Sequence, residues 1–396
     1  MNYPKVILKS GKDQSVRRYH PWIFSGAIKK IIGNVNEGDL VMVTDNKDEF
    51  LALGHYQIGS IAVRILTFKD KEIDAGFWKD KISRAYNLRK NFGLAENNNN
   101  NNNVYRLVHA EGDGLPGLII DYYNGTAVLQ MHSIGMYLNR EAIIEAIKEI
   151  YGDNLKAIYD KSESTIPFKS EVEAKNGYIY GSSSESIVLE YGNKFKINWE
   201  EGQKTGFFID QRENRKLVSE YSKDKTVLNV FGYTGGFSVY AMQGGAKSVH
   251  SVDSSKKAID LTNENMELNF EDTSRHEAFA VDAFEFLNDI DNKYDLIILD
   301  PPAFAKHHNV LHNALQGYKR LNIKALEQIK PGGLLFTFSC SQVVSKENFR
   351  KTIFTAAANT GRNIRILHQL SQPVDHPVNI YHPESEYLKG LVVYVE

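Results

Sequence analysis

The chain has 396 residues, 42% of them hydrophobic and 24% charged, with a formal net charge of −2. This length exceeds that of one typical hydrophobic core, so two or three domains are expected. No apolar run approaches the ~20 residues of a membrane-spanning helix, and the first residues lack the apolar segment of a signal peptide. The single cysteine excludes an internal disulfide and argues against a cysteine-based metal site. These features predict a cytoplasmic protein without a membrane partner or a bound metal.

Residues 1–70 are predicted to form a small β-barrel, because short strand-like runs at 6–8, 40–43, 51–53 and 61–66 alternate with glycines. Residues 1–35 contain seven lysines and arginines opposed only by Asp13. A local basic patch of this kind can hold a polyanion even in a nearly neutral chain, and a solvated surface is the alternative. The side chains predicted to contact such a polyanion are Lys9, Lys12, Arg17 and Arg18.

Residues 71–195 are predicted to form an α+β domain. A charged helical stretch runs from about 77 to 92, a strand covers 117–122, and an amphipathic helix covers about 140–150. The unbroken asparagine run at 97–103 has no hydrophobic pattern, so it is predicted to be a disordered surface loop.

Residues 196–396 are predicted to form an α/β domain with a parallel, doubly wound sheet, because strands and helices alternate. The predicted strands are 226–231, 248–253, 277–281, 294–300 and 333–339, and the clearest helices are 256–269 and 311–329. Two further strands, 363–370 and 389–395, follow without a long helix between them, which favours a hairpin at the end of the sheet.

A glycine-rich turn follows the first strand of this domain and leads into a helix. Gly232 and Gly235 allow close approach of the backbone to a ligand, although a tight strand-to-helix turn is the alternative. Asp253 ends the second strand, 21 positions after Gly232, where a carboxylate can accept ribose hydroxyls. Asp282 and Asp300 end the next two strands. One such acid is often a helix cap, but three in succession favour a nucleoside cofactor, S-adenosylmethionine or NAD.

The run Asp-Pro-Pro-Ala-Phe at 300–304 favours S-adenosylmethionine over NAD. Its prolines form a stiff turn, from which Phe304 can stack on a planar base while Asp300 bonds its polar edge; a rigid turn with a core phenylalanine is the alternative. Cys340 follows another predicted strand, so it should lie at the same edge of the sheet. A thiolate that adds to carbon 6 of a pyrimidine activates carbon 5, although free cysteines are more often small core residues. The base must first leave its stack.

Several segments together resemble the RlmI-like ribosomal RNA large-subunit cytosine-C5 methyltransferases. They are LKSG at 8–11, HPWIFSG at 20–26, HAEGDGLPGL at 109–118, GQKTGFFIDQR at 202–212, FGYTGG at 231–236, DPPAFAK at 300–306 and SCS at 339–341. The resemblance extends over nearly the whole chain. The segments at 113–117 and 203–208 are specific to the group, whereas Asp-Pro-Pro is shared more widely.

This resemblance implies a PUA domain at residues 1–70, a middle domain at 71–195, and a Rossmann-like class I methyltransferase domain at 196–396. The sheet of that domain should have seven strands, one of them antiparallel. Cys340 matches the nucleophile and Asp300 the base-binding acid, and Asp210 should lie near the methionine end of the cofactor. The predicted cofactor-binding residues are Gln211, Phe231, Gly232, Thr234, Gly235, Asp253, Asp282 and Asp300. The predicted substrate-binding residues are Phe304 and Lys306, together with the four basic side chains named above.

The predicted function is therefore methyl transfer from S-adenosylmethionine to carbon 5 of a cytosine in large-subunit ribosomal RNA, through a Cys340 adduct. One alternative is a guanine methyltransferase acting at N7 or an exocyclic amine, which needs no thiol. Another is a non-catalytic RNA-binding assembly factor. The sequence leaves the oligomeric state open, with a homodimer as one alternative.

Overall fold

The computed structural model describes residues 3–95, 101–167, 172–182, 186–305 and 307–396. The chain divides into two compact units. The first comprises Met1–Val188, Ile197–Phe207 and Val374–Ser385, and the second comprises Leu189–Lys196, Phe208–Pro373 and Glu386–Glu396. Both predicted N-terminal domains thus contribute to the first unit, which also includes a short segment from the tail.

A six-stranded sheet opens the first unit, with one short helix, α1 (Gln14–Arg17). Its strands are β1 (Lys5–Leu8), β2 (Trp22–Phe24), β3 (Ile28–Ile32), β4 (Leu40–Thr44), β5 (Phe50–Tyr56) and β6 (Ile61–Thr67). Their order is β2-β6-β5-β4-β1-β3, and β1 pairs with β4 in parallel. The sequence predicts four of these strands but not β2 and β3. The residues of β3 are exposed or only partly buried, so this strand lacks the apolar run that marks a buried one.

A five-stranded sheet with three helices follows, in the order β11-β10-β9-β8-β7. The elements are α2 (Ala75–Asn91), β7 (Val104–His109), β8 (Leu118–Tyr123), β9 (Thr126–Met131), α3 (Ile134–Leu138), α4 (Arg140–Tyr151), β10 (Ala157–Asp160) and β11 (Gly177–Gly181). Of the asparagine run, residues 97–100 lie outside the described residues. Asn102 is buried, and its side-chain amide donates to the carbonyl of Val104 at 3.2 Å.

The motif at 109–118 is built into the core of the first unit. The Asp113 carboxylate accepts hydrogen bonds from both Nη atoms of Arg89, at 2.5 and 2.8 Å, and from the backbone N–H of His109 at 2.6 Å. A Cβ atom at Gly112 would lie 2.0 Å from the carbonyl oxygen of Pro377, so only glycine fits there. Burying an arginine requires such a paired partner. The buried Arg89–Asp113 pair and the close contact at Gly112 therefore explain why this motif needs these residue types.

The second unit contains a seven-stranded sheet in the order β16-β15-β14-β17-β18-β20-β19. A hairpin of β12 (Ile187–Glu190) and β13 (Asn193–Lys196) precedes it. The sheet strands are β14 (Thr226–Val230), β15 (Ser248–Asp253), β16 (His276–Ala280), β17 (Leu296–Leu299), β18 (Gly333–Ser339), β19 (Ile364–Leu370) and β20 (Lys389–Val395). The helices are α5 (Arg212–Tyr221), α6 (Gly236–Gln243), α7 (Lys256–Asn269), α8 (Ala283–Phe286), α9 (Leu311–Gln328) and α10 (Lys346–Thr360).

Strands β14 to β18 are parallel, and β20 runs antiparallel to both β18 and β19. The predicted α/β fold class with one reversed strand is thus confirmed. The carboxyl ends of β14, β15, β17 and β18 form one edge of this sheet, and the polar motifs follow those ends. Among the described helices, none combines the length and the apolar character needed to cross a membrane.

Candidate active site

The turn after β14 is made by three residues in the left-handed region, with φ of 61° at Phe231, 46° at Tyr233 and 78° at Gly235. The Gly235 N–H donates to the carbonyl of Gly232 at 2.8 Å, which closes the turn. A Cβ atom at Gly235 would lie 2.6 Å from Cγ2 of Thr262, so a side chain cannot be placed there without displacement. Two aromatic residues in this region cost conformational energy, and such strain concentrates at functional sites.

Helix α7 and Asp253 hold the turn in place. The Thr262 hydroxyl donates to the carbonyl of Tyr233 at 3.0 Å, and the Asn265 amide donates to that of Thr234 at 2.9 Å. The Asp253 carboxylate, at the end of β15, accepts the N–H of Tyr233 at 3.0 Å and that of Ser255 at 2.9 Å. Each carboxylate oxygen has a second lone pair, so Asp253 can still accept a ribose hydroxyl.

Asp282 is the N-cap of α8. One of its oxygens accepts the backbone N–H groups of Phe284 and Glu285, at 2.8 and 3.1 Å, and the residue is exposed. The observed contacts of Asp282 are thus those of a helix cap, which is the alternative given above. A role toward an adenine ring stays a prediction.

Asp300 follows β17 and is surrounded by the segment that precedes α5. Burial, together with the charge of Asp210, raises its pKa to about 7, although the side chain of Gln211 and the charge of Arg215 act in the opposite direction. Asp210 accepts the Tyr387 hydroxyl at 2.7 Å through Oδ2. Its buried Oδ1 has no hydrogen-bond partner among the described residues. This edge of the sheet thus combines two features. The Asp300 carboxyl has a pKa close to neutral pH, and Oδ1 of Asp210 is a buried acceptor without a hydrogen bond among the described residues.

Arg215 is a site residue that sequence reasoning missed. It is buried, and its guanidinium donates to both oxygens of Glu190 at 2.8 and 2.7 Å and to the carbonyl of Phe208 at 2.9 Å. The ring of Phe208 packs edge-on against Tyr233, with centroids 5.1 Å apart. The Arg215–Glu190 ion pair therefore positions Phe208, which packs against the glycine-rich turn at Tyr233. No local pattern marks it, because its partners are far apart in sequence.

Cys340 lies directly after β18 and is partly buried. Its thiol is 3.9 Å from the carbonyl oxygen of Pro301 and donates a hydrogen bond to it. Strands β17 and β18 are parallel neighbours, with Leu299 opposite Thr337. The structure thus brings the single thiol and the Asp-Pro-Pro turn together, as the strand-end argument predicts.

Lys389 is a second residue that sequence reasoning missed. It is 4% exposed, and its ammonium donates to the carbonyls of Ser341 and Val344, at 2.6 and 2.7 Å, in the turn that follows Cys340. Burial lowers its pKa to about 8, while the neighbouring Cys340 acts in the opposite direction. Lys389 is therefore mostly protonated at neutral pH. A cation beside a thiol stabilises the thiolate. The only sequence signal is a lysine at the start of an apolar strand.

Phe304 packs into the domain. Its ring lies 4.5 Å from that of Tyr318, and a Cβ atom at Gly317 would be 2.9 Å from its edge. Phe304 is thus partly buried against the core of the second unit, and stacking on a base stays a prediction. The Tyr318 hydroxyl, 3.1 Å from the Ser341 hydroxyl, ties α9 to the cysteine turn. Lys306 lies outside the described residues.

The basic side chains predicted to contact RNA all lie in the first unit: Lys9, Lys12, Arg17 and Arg18. Arg17 pairs with Asp13 at 2.6 Å and with Asp45 at 2.8 Å, so its charge is largely balanced within the domain. The ammonium of Lys9 donates to the carbonyl of Gly26 at 2.9 Å. Lys12 and Arg18 are exposed. The predicted patch is therefore weaker than the sequence alone indicates.

One cluster of potential metal ligands occurs among the described residues, formed by His20, His382 and Glu384 in the first unit. Nδ1 of His20 lies 3.2 Å from both the backbone nitrogen and the carbonyl oxygen of Trp22. Nε2 of His20 is 3.6 Å from the Glu384 carboxylate, and Nε2 of His382 is 3.8 Å from it. The three side chains thus form a histidine–glutamate contact.

The residues of the second unit fit a nucleoside that carries a charged amino-acid group. The glycine turn allows close approach, Asp253 retains acceptor capacity for ribose hydroxyls, and the buried Oδ1 of Asp210 can accept a donor such as an ammonium group. These are the recognition features of S-adenosylmethionine.

Comparison with known proteins agrees with this fit. Residues 168–380 match the family model "S-adenosylmethionine-dependent methyltransferase", and residues 6–68 match "PUA-like domain". The chain is 40% identical over 399 residues to "Ribosomal RNA large subunit methyltransferase I" of Aeromonas salmonicida, covering 98% of each chain. It is 38% identical over 395 residues to the protein of that name from Klebsiella pneumoniae, covering 98% of this chain and 97% of the other.

Two solved structures share the fold over 99% of this chain and 100% of theirs, each at 25% identity. A putative S-adenosylmethionine-dependent methyltransferase from Streptococcus mutans has a TM-score of 0.83. A putative methyltransferase called SMU.776, complexed with S-adenosylhomocysteine, has a TM-score of 0.85. The chain therefore belongs to the S-adenosylmethionine-dependent methyltransferases that carry an N-terminal PUA-like domain, and S-adenosylmethionine is its cofactor.

Proposed function

We propose that this protein methylates carbon 5 of a cytosine in large-subunit ribosomal RNA, with Cys340 as the nucleophile. The names of its relatives support the RNA class. The observation that carries the chemistry is the position of the single cysteine. It follows β18 at the cofactor edge of the sheet, in contact with the Pro301 carbonyl and in the turn bound by the buried Lys389.

The thiol is needed because carbon 5 of cytosine is a poor nucleophile. The Cys340 thiolate adds to carbon 6, and the electrons of the 5,6 double bond move to carbon 5. S-adenosylmethionine, when bound, would supply the electrophilic methyl group for carbon 5, and the methyl–sulfur bond would break to leave S-adenosylhomocysteine. A general base then takes the carbon-5 proton, the electron pair re-forms the double bond, and the carbon–sulfur bond breaks to release the thiolate. Lys389 favours the thiolate at the start and the end of this cycle.

Asp300 contributes through its protonated form. With a pKa of about 7, about half of the carboxyl groups retain the proton at neutral pH. A protonated carboxyl can donate a hydrogen bond to N3 of cytosine, which draws electron density from the ring and promotes addition at carbon 6. The PUA-like domain would hold the RNA, with the exposed Lys12 and Arg18 contacting phosphates. A ribosomal RNA substrate implies action in the cytoplasm, and a homodimer stays a prediction.

The Cys340→Ala variant tests this proposal. It should lose methyl transfer while its affinities for S-adenosylmethionine and RNA stay close to wild type, because the thiol bonds to the base only along the reaction path. Wild type should form an adduct with RNA that contains 5-fluorocytosine at the target, because the fluorine cannot leave as a proton. The adduct should survive denaturing electrophoresis and be absent from the variant. Equal thermal unfolding midpoints would show that the variant is folded.

The two alternatives predict different results. Full methyl transfer by Cys340→Ala, with no adduct in wild type, would favour a guanine methyltransferase, and mapping the modified nucleoside would identify the base. A non-catalytic assembly factor would bind RNA without methylating it. The intact glycine turn and Asp253 argue against that alternative, since both suit a cofactor.

A further inference from the structure

An exposed aromatic surface lies in the first unit, formed by Tyr19, Tyr381 and the neighbouring Ile380. Phe24 is linked to it through His20, the residue after Tyr19, whose ring centroid is 6.4 Å from that of Phe24. The three rings are 51%, 49% and 51% exposed, and Ile380 is 84% exposed. The ring centroids of Tyr19 and Tyr381 are 5.3 Å apart. Large side chains that cluster at the surface of a soluble domain usually mark an interaction site, whereas single exposed ones do not.

The backbone at Tyr19 adopts a conformation that glycine usually supplies. Tyr19 follows the C-terminal end of α1 with a φ of 65°, and its N–H donates to the carbonyl of Val16 at 2.9 Å. Helices often end with a left-handed glycine at this point, because a bulky side chain there is strained. The Tyr19 ring packs edge-on against Phe68, with centroids 5.2 Å apart, and half of it stays in solvent, so the strained position leaves part of an aromatic ring available to a partner.

The tail segment Val374–Ser385 brings Tyr381 to the same surface. This segment connects β19 to β20 but belongs to the first unit. His382 fixes this segment to the first unit, because it is 1% exposed and its ring centroid is 4.2 Å from that of Trp22. The Asn379 amide donates to the carbonyl of Glu111 at 3.3 Å and accepts the N–H of Tyr381 at 2.9 Å through its side-chain oxygen. Tyr381 is thus held by the buried His382 on one side and by the Asn379 hydrogen bond on the other.

Exposed positive charge accompanies these rings. Arg18 is adjacent to Tyr19 in sequence, and Lys12 lies just before α1; both are exposed. Rings that stack on bases, next to cations that contact phosphates, are the combination with which proteins hold single-stranded nucleic acids. A lipid or protein partner would not require this pairing of stacking faces and cations.

We propose that the aromatic surface binds a single-stranded segment of the RNA substrate by base stacking on Tyr19, Phe24 and Tyr381. This inference rests on the proposed function, in that RNA is the substrate, and it names the surface where that RNA docks. Stacking supplies most of the affinity there, while Lys12 and Arg18 supply the salt-dependent part.

Fluorescence anisotropy with a labelled, unstructured oligoribonucleotide at several salt concentrations separates the two contributions. Tyr19→Ala and Tyr381→Ala should each weaken binding about five- to 150-fold, because stacking on one base is worth about 1–3 kcal/mol. The slope of log affinity against log salt should stay unchanged, since no phosphate contact is lost. Replacing Lys12 and Arg18 with alanine should reduce that slope by about 1.4, at ~0.7 per phosphate for a single strand. Phe354→Ala, which removes a 71% exposed ring in the second unit, is the matched control and should bind like wild type.

Tyr19→Gly separates binding from packing, because glycine removes the ring and the backbone strain together. This variant should bind RNA as weakly as Tyr19→Ala while its thermal unfolding midpoint is at least as high as that of Tyr19→Ala. Wild-type affinity in Tyr19→Gly and Tyr381→Ala would overturn the proposal and favour a protein partner at this surface. All affinities are measured without methyl transfer. They therefore do not depend on the Cys340 result, which can fail or hold independently.

Discussion

Asp300→Asn removes the carboxyl whose pKa the structure raises most clearly at the active site. The folded-state pKa is about 7, against an ordinary value of 3.8. Because the folded-state value is raised, the folded protein holds this proton more tightly than the unfolded chain does. The associated stabilisation is therefore complete at low pH and is lost as the pH rises from about 4 to about 7. Asparagine does not ionise, so the variant lacks this dependence.

The expected size follows from the two pKa values. Between pH 5 and pH 8, the free energy of unfolding of wild type should fall by roughly 2–3 kcal/mol relative to Asp300→Asn. Urea unfolding of both proteins at pH 5, 6, 7 and 8, followed by circular dichroism, measures this difference, because other titrating groups cancel between them. A difference that does not change with pH would refute the argument that Asp300 is desolvated and repelled by Asp210.

The same pKa has a catalytic consequence. With a pKa of about 7, about nine-tenths of Asp300 is protonated at pH 6 and about one-tenth at pH 8. Single-turnover methyl transfer should therefore decline above pH 7 in wild type. Asp210→Asn removes a like charge, lowers the pKa of Asp300 and should move this decline to lower pH. A decline that is the same in Asp300→Asn would assign it to another group.

Three further variants test the cofactor turn and the thiol. Gly235→Ala should lower the free energy of unfolding by about 2–4 kcal/mol, because φ is positive there and the new Cβ would lie 2.6 Å from Cγ2 of Thr262. Thr262→Ser removes Cγ2 and should restore part of this loss in the double variant. If chemical denaturation shows that the effects of the two substitutions simply add, the contact is contradicted. Lys389→Met removes the buried cation beside the Cys340 thiol and should slow alkylation of that thiol by iodoacetamide at pH 7 by roughly tenfold. The mass of the intact protein measures the extent of alkylation directly, since the chain has one cysteine. Equal alkylation rates in wild type and Lys389→Met would exclude an effect of the lysine charge. Asp253→Ala should weaken S-adenosylmethionine binding about ten- to a hundredfold by calorimetry, and an unchanged affinity in a folded variant would place the ribose elsewhere.

The sequence alone determined the architecture of the second unit because its signals are local. The bounds of α7, β15, β18 and β20 agree with the predicted segments. Apolar runs and helical periodicity reflect burial of neighbouring residues, which each segment encodes by itself. The sequence also predicts that Gly235, Asp253 and Cys340 lie at the same edge of the sheet. Each residue follows the end of a parallel strand, and parallel strands end at one edge.

The tertiary structure alone decided the electrostatics and the partners of single side chains. Lys389 is 49 positions from Cys340, and Arg215 is 25 positions from Glu190, so no local pattern connects either pair. In the sequence Arg17 is opposed only by Asp13, but folding also brings Asp45 to it. The same applies to Asp300, whose pKa depends on burial and on Asp210, and to Tyr19 and Tyr381, which meet only because the tail returns to the first unit. Hydrophobic patterning is a property of neighbours in sequence, whereas charge and stacking depend on neighbours in space, and only folding defines those.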